Sequence, residues 1–397
     1  MEISNRNHAE KLFVSSFKQE QQLMTMSNSA LKTGMDLYQK EDYKDAAKAF
    51  QRAIDLAPRS QFSADASNYL AMTHLKLNDP DKAIEAYKKW IKLNSDQADP
   101  HIKLGNLYFS QEQYKESEKE YAEAVRIDPN ANNLYSLAQA YLFQDRFSEA
   151  EAHFREVRRL EPKKPNGYYG LGLAYSRQGQ SERAIELFDE AIGFKRDFFD
   201  AYAEKGYAYA DLDKIEEAQK IFEFLEDEDS DLADTLSRYI YTVDPPQIAF
   251  GSAMVSTFSY RRPRLTSVSD LDSYLENANA SKSFTMVFQF DKEMDRLSVE
   301  DRFNWKINRA RSINLADTYN FGLTVPSTEI QLSAFPDSVY YDSEALTAKV
   351  TFTIQQNETA DGTIDPSHIE FKFVGEDAYG LSMDREGDQF TGFSGVF

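Results

Sequence analysis

Five histidines are the residues of this chain best suited to acid–base or metal chemistry. They are His8, His74, His101, His153 and His368. None of them forms an HExxH motif, and none lies near a glycine-rich nucleophile elbow. The chain has no cysteine, which excludes disulfides, thiolate metal sites and cysteine nucleophiles. These patterns predict no catalytic residue, no metal site and no cofactor.

Two further stretches have the composition of a chemical site without its spacing. YGLGLAY (169–175) lacks the third glycine of a phosphate-binding loop and falls inside a predicted helix pair. NETADGTIDPSH (357–368) lacks the alternate ligands and closing Glu of an EF-hand, so a turn with a capping Asp is favoured over Ca²⁺ held between loops. Asp361 and Asp365 would form a glycosidase pair only if the fold set their separation. We therefore predict that the protein is not an enzyme.

The composition is that of a folded, acidic protein. Its 397 residues suffice for two or three domains, with 41% hydrophobic and 28% charged residues. A net charge of −21 makes nucleic acid and anionic membranes unfavourable partners. We expect no membrane span and no Sec-type signal peptide, because the sequence lacks a long apolar run and a basic N-terminal segment followed by an apolar core. The compartment stays open between the cytoplasm and export to the cell surface without a cleaved signal.

A repeat runs through the first 240 or so residues. Small residues recur every 33 to 37 positions, at Ala46, Ala83, Ser117, Ala150, Ala184 and Ala218. Each is followed four positions later by an aromatic residue: Phe50, Tyr87, Tyr121, Phe154, Phe188 and Phe222. A glycine or alanine also lies twelve positions before each small residue: Gly34, Ala71, Gly105, Ala138, Gly172 and Gly206. This spacing predicts paired amphipathic helices, in which small residues let backbones approach and aromatic residues fill the space between pairs.

The pattern resembles the tetratricopeptide repeat. IKLGNLYFSQEQYKESEKEYAEAVRIDP (102–129) and YYGLGLAYSRQGQSERAIELFDEAI (168–192) match it well, and six units cover roughly residues 27–232. The resemblance implies a right-handed α-solenoid whose concave groove binds a peptide or protein segment. Departures from the family pattern are an insertion at 61–63, Trp90 and Val157 in place of small residues, and units that lack the closing proline.

The resemblance places the first helix of each pair along the groove. Helical periodicity then puts one set of side chains on its face: Met35, Asn68, Met72, Asn106, Phe109, Tyr135, Gln139, Leu142, Phe143, Tyr169, Leu173, Arg177 and Tyr207. Only Asn68, Asn106 and Arg177 resemble a carboxylate clamp, and they are scattered, so aromatic anchors such as Tyr135 and Tyr169 are favoured instead. For Phe109 and Phe143, core packing and groove exposure are equally good interpretations.

Both ends of the solenoid need a cap. Residues 8–26 predict a helix with one apolar face, formed by Leu12, Phe13, Phe17, Leu23 and Met24. This segment, within a helical or flexible stretch at 1–26, is either a cap or a partner-seeking or export segment. Residues 232–243 predict the cap at the other end, so the solenoid with its cap is assigned to 27–243.

Beyond Asp244-Pro245-Pro246 the hydrophobic period changes to two, which predicts strands. The candidates are 247–254, 284–290, 304–310, 327–333, 346–355 and 367–375. FTMVFQFDKEMDRLSVEDRFNWKI (284–307) and GEDAYGLSMD (375–384) resemble bacterial immunoglobulin-like domains, which implies an all-β sandwich at 244–397. An extra segment at 255–281 includes the basic cluster YRRPR and a predicted short helix, TSVSDLDSYLENANA.

These features favour a multidomain α + β protein that acts as a non-catalytic scaffold, binding a protein or peptide partner in the groove. The alternative is a structural or accessory subunit of an extracellular or cell-surface bacterial assembly, since the immunoglobulin-like resemblance points outside the cell. Self-assembly and occupation of the groove by residues 8–26 or by the second domain stay open.

Overall fold

The computed structural model describes residues 2–228 and 230–392, and it describes side chains from residue 18 onward within these ranges. Contacts between residues divide the chain into two compact units, Met1–Ser237 and Arg238–Phe397. Each unit is described by itself below. In the described residues, no helix is both long enough and apolar enough to cross a membrane.

Thirteen helices precede the first strand in the described chain. They are α1 (Glu2–Gln39), α2 (Tyr43–Leu56), α3 (Gln61–Lys76), α4 (Pro80–Leu93), α5 (Asp99–Ser110), α6 (Tyr114–Ile127), α7 (Ala131–Leu142), α8 (Phe147–Leu160), α9 (Asn166–Ser176), α10 (Ser181–Phe194), α11 (Phe199–Asp211), α12 (Ile215–Asp227) and α13 (Leu232–Val243). The predicted helix pairs are confirmed, from α1 with α2 to α11 with α12. The insertion at 61–63 forms the first turn of α3, where the Ser60 side chain accepts a hydrogen bond from the Ser63 N–H.

Small residues of the first helices meet the aromatic residues of the second helices inside each pair. A Cβ atom added at Gly105 would lie 2.6 Å from the Tyr121 ring, and one added at Gly172 would lie 2.5 Å from the Phe188 ring. Carbon atoms in contact are separated by about 3.5–4.0 Å, so these positions accept only glycine without rearrangement. First helices also contact each other, in the pairs α1 with α3, α5 with α7, α7 with α9 and α9 with α11.

The two ends of the helical array differ in how they are anchored. Helix α1 is uninterrupted, so residues 8–26 continue directly into the first repeat, and the buried Ser27 hydroxyl donates to the Ala53 carbonyl at 2.7 Å. The predicted apolar positions Leu12, Phe13 and Phe17 lie outside the residues whose side chains are described. At the other end α13 packs on α11, because a Cβ atom at Gly206 would lie 2.5 Å from Leu236.

The second unit is rich in antiparallel strands. These are β1 (Ile248–Gly251), β2 (Thr266–Ser267), β3 (Ser281–Phe290), β4 (Trp305–Arg309), β5 (Ser338–Asp342), β6 (Thr347–Gln355), β7 (Thr363–Ile364), β8 (Ile369–Phe373) and β9 (Gln389–Phe390). They form three sheets with the orders β1-β3-β6-β5, β4-β8-β9 and β2-β7. One short helix, α14 (Arg296–Glu300), connects β3 to β4.

Aromatic side chains fill the space between the four-stranded and the three-stranded sheet. Strand β3 alternates as predicted, and its inward positions are buried: Phe284, Met286, Phe288 and Phe290. The ring of Phe288 lies 5.3 Å from Phe371 and 5.4 Å from Trp305, which belong to the other sheet. Phe352 of β6 lies 5.4 Å from Phe371 in the same way. The two sheets therefore pack face to face around one core.

Two predictions of elements in this unit are wrong. Residues 327–333 do not form a strand; Glu329 makes one isolated bridge with Thr363, and the segment then leaves the sheet. The helix predicted within 266–280 is instead two single-turn 3₁₀ helices, Val268–Asp270 and Ser273–Glu276. Strand β5 was missed, because SVYYD carries its alternation over only five residues.

The division into units falls inside α13, between Ser237 and Arg238, whereas the sequence analysis assigned the solenoid with its cap to 27–243. Residues 238–243 are therefore described with the second unit. Within that unit the buried Lys292 ammonium donates to the carbonyl oxygens of Tyr241 and Asp244, both at 2.6 Å.

Candidate binding groove

One residue of each first helix forms a partly exposed row, which we call the first-helix ladder. Its members are Met35, Met72, Asn106, Gln139, Leu173 and Tyr207. Each directly follows the small residue that packs against the second helix, and all six of those small residues are buried. In an α-helix consecutive residues differ by about 100° in direction, so burial of one orients the next toward the edge of the packed face. The ladder thus places apolar and amide side chains at equivalent positions of successive repeats.

A second cluster surrounds Phe143 at the end of α7. Its ring is 38% exposed and lies 5.0 Å from Phe109 and 5.3 Å from Tyr114. The Arg177 guanidinium lies 4.6 Å from the centre of the Phe143 ring, a cation–π distance. The structure therefore brings Phe109, Phe143 and Arg177 together across three successive repeats. Phe143 therefore packs against other aromatic rings and is also partly exposed.

Tyr135 and Tyr169 are mainly packing residues. Tyr135 lies 5.3 Å from Phe154, and Tyr169 lies 4.7 Å from Phe198. Burial raises the pKa of Tyr135 to about 12, with a smaller contribution from Asp200. Burial also raises the pKa of Tyr169. Truncating either ring would therefore remove internal contacts, so the expectation that they act as freely accessible anchors needs revision.

The side chains of Asn68 and Asn106, which were predicted for the groove, accept hydrogen bonds from the second helix of their own repeat. The Asn106 side-chain oxygen accepts a hydrogen bond from the Tyr121 hydroxyl at 2.6 Å, and Asn68 accepts one from Tyr87 at 3.5 Å. Burial raises the pKa of Tyr121 to about 12. Among the residues that the structure describes, only the oxygen of each amide has a partner, so the N–H groups are available to a bound segment.

Leu142 does not belong to the groove. It is 1% exposed and lies in the core formed by α7, α8, α9 and α10. Of the two adjacent residues that were predicted for the groove face, only Phe143 is exposed, because helical geometry gives way to the turn at the end of α7.

Asp200 and Glu204 on α11 are carboxylates near Tyr169 and Arg177 that the sequence analysis did not single out. Burial raises the pKa of Glu204, Arg177 opposes this shift, and Asp200 adds to it. Glu204 also contributes to the raised pKa of Tyr169. Glu204 lies three positions before the ladder residue Tyr207 and four positions after Asp200. Residues at these spacings are neighbours on a helix surface, so the helical period could have identified both carboxylates from the sequence.

The second unit contains a buried cluster that resembles a catalytic triad in composition only. The His368 Nδ1 atom lies 2.8 Å from the Asp365 carboxylate and 3.2 Å from the Ser367 hydroxyl, so one nitrogen faces both groups. The Nε2 atom lies 2.8 Å from the carbonyl oxygen of Ala316. A triad needs the nucleophile and the carboxylate on opposite nitrogens. Asp361 is exposed and accepts hydrogen bonds from Asn357 and Thr359, as a turn carboxylate does.

A cleft of about 640 Å³ lies beside β4 in the same unit. The Glu329 side chain, 6% exposed, borders it; it accepts a hydrogen bond from Tyr319 and lies 3.6 Å from the Arg309 guanidinium. Burial raises the pKa of Glu329 to about 7, Arg309 opposes the shift, and Asp365 adds to it.

The raised pKa of Glu329 predicts that the stability of the second unit depends on pH. Its carboxyl keeps a proton up to about pH 7 when folded, while the unfolded chain loses it near the ordinary value of 4.5. The folded state therefore binds more protons in this window, and the free energy of unfolding should fall as pH rises from about 4.5 to about 7. Urea unfolding at several pH values should show this slope in the wild type and a flatter one in Glu329→Gln. An unchanged slope in the variant would contradict the assignment.

The fold and the ladder define the helical unit as an α-solenoid of paired-helix repeats. A family model of the tetratricopeptide repeat matches residues 31–101, 70–132 and 135–203, and a second model of the same repeat matches 199–223. Residues 31–132 and 135–223 therefore match tetratricopeptide repeats, which confirms the interpretation made from the sequence.

Individual relatives are more distant. Protein STIP1 homolog of Dictyostelium discoideum is 26% identical over 181 residues, which is 43% of this chain and 29% of that protein. A tetratricopeptide repeat protein from Parabacteroides merdae is 15% identical with a TM-score of 0.49, covering 54% of this chain and 86% of the other. The MamA protein is 28% identical with a TM-score of 0.37, covering 42% and 92%. This chain therefore spans less than a third of the STIP1 homolog.

Proposed function

We propose that the protein is a non-catalytic scaffold that binds a segment of a partner protein along the first-helix ladder. The observation that carries this proposal is the ladder itself: six successive repeats each present a partly exposed side chain directly after a buried small residue. Tetratricopeptide repeats typically mediate protein–protein interaction, which supports the assignment of this surface.

The chemistry of the ladder suits an amphipathic partner segment. Met72 is 38% exposed and Leu173 is partly buried, so both offer apolar contact area that a partner could cover. Asn106 and Gln139 lie between them and supply amide N–H groups, which could bond to partner carbonyls and fix its register. The binding energy of an interface is usually concentrated in a few buried anchors that are surrounded by polar contacts.

The test compares two double variants in the full chain. A random peptide display library is selected on the wild type, and the dissociation constants of enriched peptides are measured by fluorescence anisotropy. Met72→Glu with Leu173→Gln should weaken binding at least about tenfold, or about 1.4 kcal/mol, because it places polar groups against apolar anchors. Leu160→Glu with Phe194→Gln is the matched control, since Leu160 and Phe194 are 40% and 45% exposed at the ends of second helices.

Equal affinity of both double variants for the enriched peptides would place the binding surface elsewhere. The absence of any enriched peptide would contradict binding of a linear segment. Far-UV circular dichroism of each variant shows whether the solenoid is intact.

We further propose that residues 244–397 form an immunoglobulin-like domain that serves as a second binding surface or a spacer. The support is a four-stranded and a three-stranded antiparallel sheet with an aromatic core between them, as in domains of that class.

A further inference from the structure

Two neighbouring segments of the strand unit expose large apolar side chains. One segment, 259–265, leads into β2, and the other, 310–323, follows the end of β4. The exposed apolar residues are Leu265 in the first segment and Ile313, Leu315, Phe321 and Leu323 in the second; together with Arg261, Arg262 and Arg264 we call them the loop patch. Ile313 is fully exposed, and Leu315 is 65% exposed. Apolar surface collected in this way is typical of an interaction site.

The two segments meet at Arg264 and Phe321. The Arg264 guanidinium lies 5.8 Å from the centre of the Phe321 ring. A Cβ atom added at Gly322 would lie 2.9 Å from the Leu315 side chain, so Leu315 lies directly beside the turn that carries Phe321. Arginine and apolar side chains are therefore neighbours within one surface.

The backbone of the loop patch has an uncommon conformation. Leu265 and Phe321 have φ angles of 60° and 52°, in the left-handed region that bulky residues rarely adopt. Hydrogen bonds fix this conformation, because the Asn320 N–H donates to the buried Asp365 carboxylate at 2.8 Å and the Asn320 side chain donates to the Leu323 carbonyl at 3.2 Å. Residues held in this way cluster at functional sites, so the exposed position of Phe321 calls for a functional explanation.

The charge of the loop patch is opposite to that of the unit around it. Residues 238–397 contain 14 basic and 23 acidic residues, a net charge of −9. The segment 259–265 contains three arginines and no acidic residue, and 310–323 adds one residue of each sign, Arg311 and Asp317. Among the described residues, the three arginines of the loop patch form no ion pair, so their guanidinium groups are available to an anionic partner.

The shape of the loop patch favours a soft partner over a peptide. A fully exposed side chain such as that of Ile313 projects from its loop, whereas peptide segments are bound in grooves or along strand edges. The interfacial region of a lipid bilayer can close around a projecting apolar side chain. Its phosphate groups also pair with guanidinium groups through two parallel hydrogen bonds. A bilayer surface therefore uses both kinds of residue in the loop patch.

We propose that the loop patch binds the surface of an anionic lipid bilayer. Its apolar side chains enter the boundary between headgroups and acyl chains, and its arginines pair with the lipid phosphates. The net charge of −21 made anionic membranes unfavourable partners in the sequence analysis, but repulsion from distant carboxylates is screened beyond about 8 Å at physiological ionic strength. The charge of the contacting surface then decides. This site is separate from the first-helix ladder and does not depend on the function proposed for it.

The probe is a vesicle made of equal parts of phosphatidylcholine and phosphatidylserine, and binding of the full chain is measured by sedimentation. We expect saturable binding, at least about tenfold tighter than to vesicles of phosphatidylcholine alone. Arg261→Gln with Arg262→Gln should weaken binding at least about tenfold, because two contacts with anionic lipid are lost. Arg302→Gln with Arg385→Gln is the matched control, since it changes the net charge equally at two exposed arginines near the opposite ends of β4 and β8.

Insertion of the apolar side chains is tested at single positions. The chain has no cysteine, so Ile313→Cys can be labelled with one environment-sensitive fluorophore. Leu297→Cys is the control, because Leu297 is 81% exposed and lies before β4 begins. Anionic vesicles should shift the emission of the label at position 313 to the blue and leave that at position 297 unchanged. Binding no tighter than to neutral vesicles, equal losses in the two arginine variants, or an unshifted label at position 313 would overturn the proposal.

Discussion

Replacing Lys292 with alanine is expected to lower the free energy of unfolding of the second unit by about 3–5 kcal/mol. The Lys292 ammonium lies 2.8 Å from the Asp377 carboxylate, and the two side chains are 3% and 0% exposed. Its hydrogen bonds go to the carbonyl oxygens of Tyr241 and Asp244, both at 2.6 Å. The ammonium is therefore enclosed by two carbonyl oxygens and one carboxylate.

The free energy of unfolding falls because alanine leaves the groups that contact Lys292 buried without their partner. Asp377 would remain a buried carboxylate, held only by the N–H groups of Tyr379 and Leu381, both at 2.8 Å. The carbonyl oxygens of Tyr241 and Asp244 would also lose their donor. An unpaired buried charge is among the most destabilising features in a folded protein.

Hydrogen exchange of the β3 and β8 amides measures this effect for the second unit alone. Lys282→Ala is the matched control, because Lys282 pairs with Asp272 at 3.1 Å but is 43% exposed, and such pairs contribute about 0–1 kcal/mol. Similar losses in the two variants would show that the Lys292 network does not stabilise the second unit.

Replacing Phe188 with alanine is expected to destabilise the helical unit by about 3–5 kcal/mol. The ring is fully buried on α10, and its edge fills the space left by the missing side chain of Gly172 on α9. Tyr169, 5.9 Å away, packs on the same ring. Alanine would leave a cavity between the two helices of one repeat, and neighbouring repeats would lose a packed partner because each repeat contacts only its neighbours.

Phe194→Ala is the control for this change, since Phe194 ends the same helix but is 45% exposed. Guanidinium unfolding followed by far-UV circular dichroism should show a large shift for Phe188→Ala and a small one for Phe194→Ala. Comparable shifts would mean that the core of the repeat does not depend on the buried aromatic residue of the second helix.

The repeat architecture could be predicted because its determinants are local and recur. Small and aromatic residues are spaced by helical turns, so Gly172 and Phe188 identify their own contact from the sequence. The ladder was predicted for the same reason. The error at Leu142 arose where α7 ends, because a fixed angular period no longer applies there.

The strand unit was predicted less completely because its contacts are distant in sequence. Strand β3 shows clear alternation, and its Phe288 packs on Phe371. The segment 327–333 has a similar apolar pattern but pairs elsewhere, since strand pairing depends on partners far along the chain. Nothing in the neighbourhood of Lys292 indicates that it contacts Tyr241, 51 positions away.

Binding along the first-helix ladder is tested most directly by titrating one enriched peptide onto three proteins in parallel. These are the wild type, Met72→Glu with Leu173→Gln, and the control Leu160→Glu with Phe194→Gln. We predict that the ladder variant loses at least about tenfold in affinity while the control matches the wild type. Retained affinity in a folded ladder variant would contradict the assignment of this surface as the binding groove.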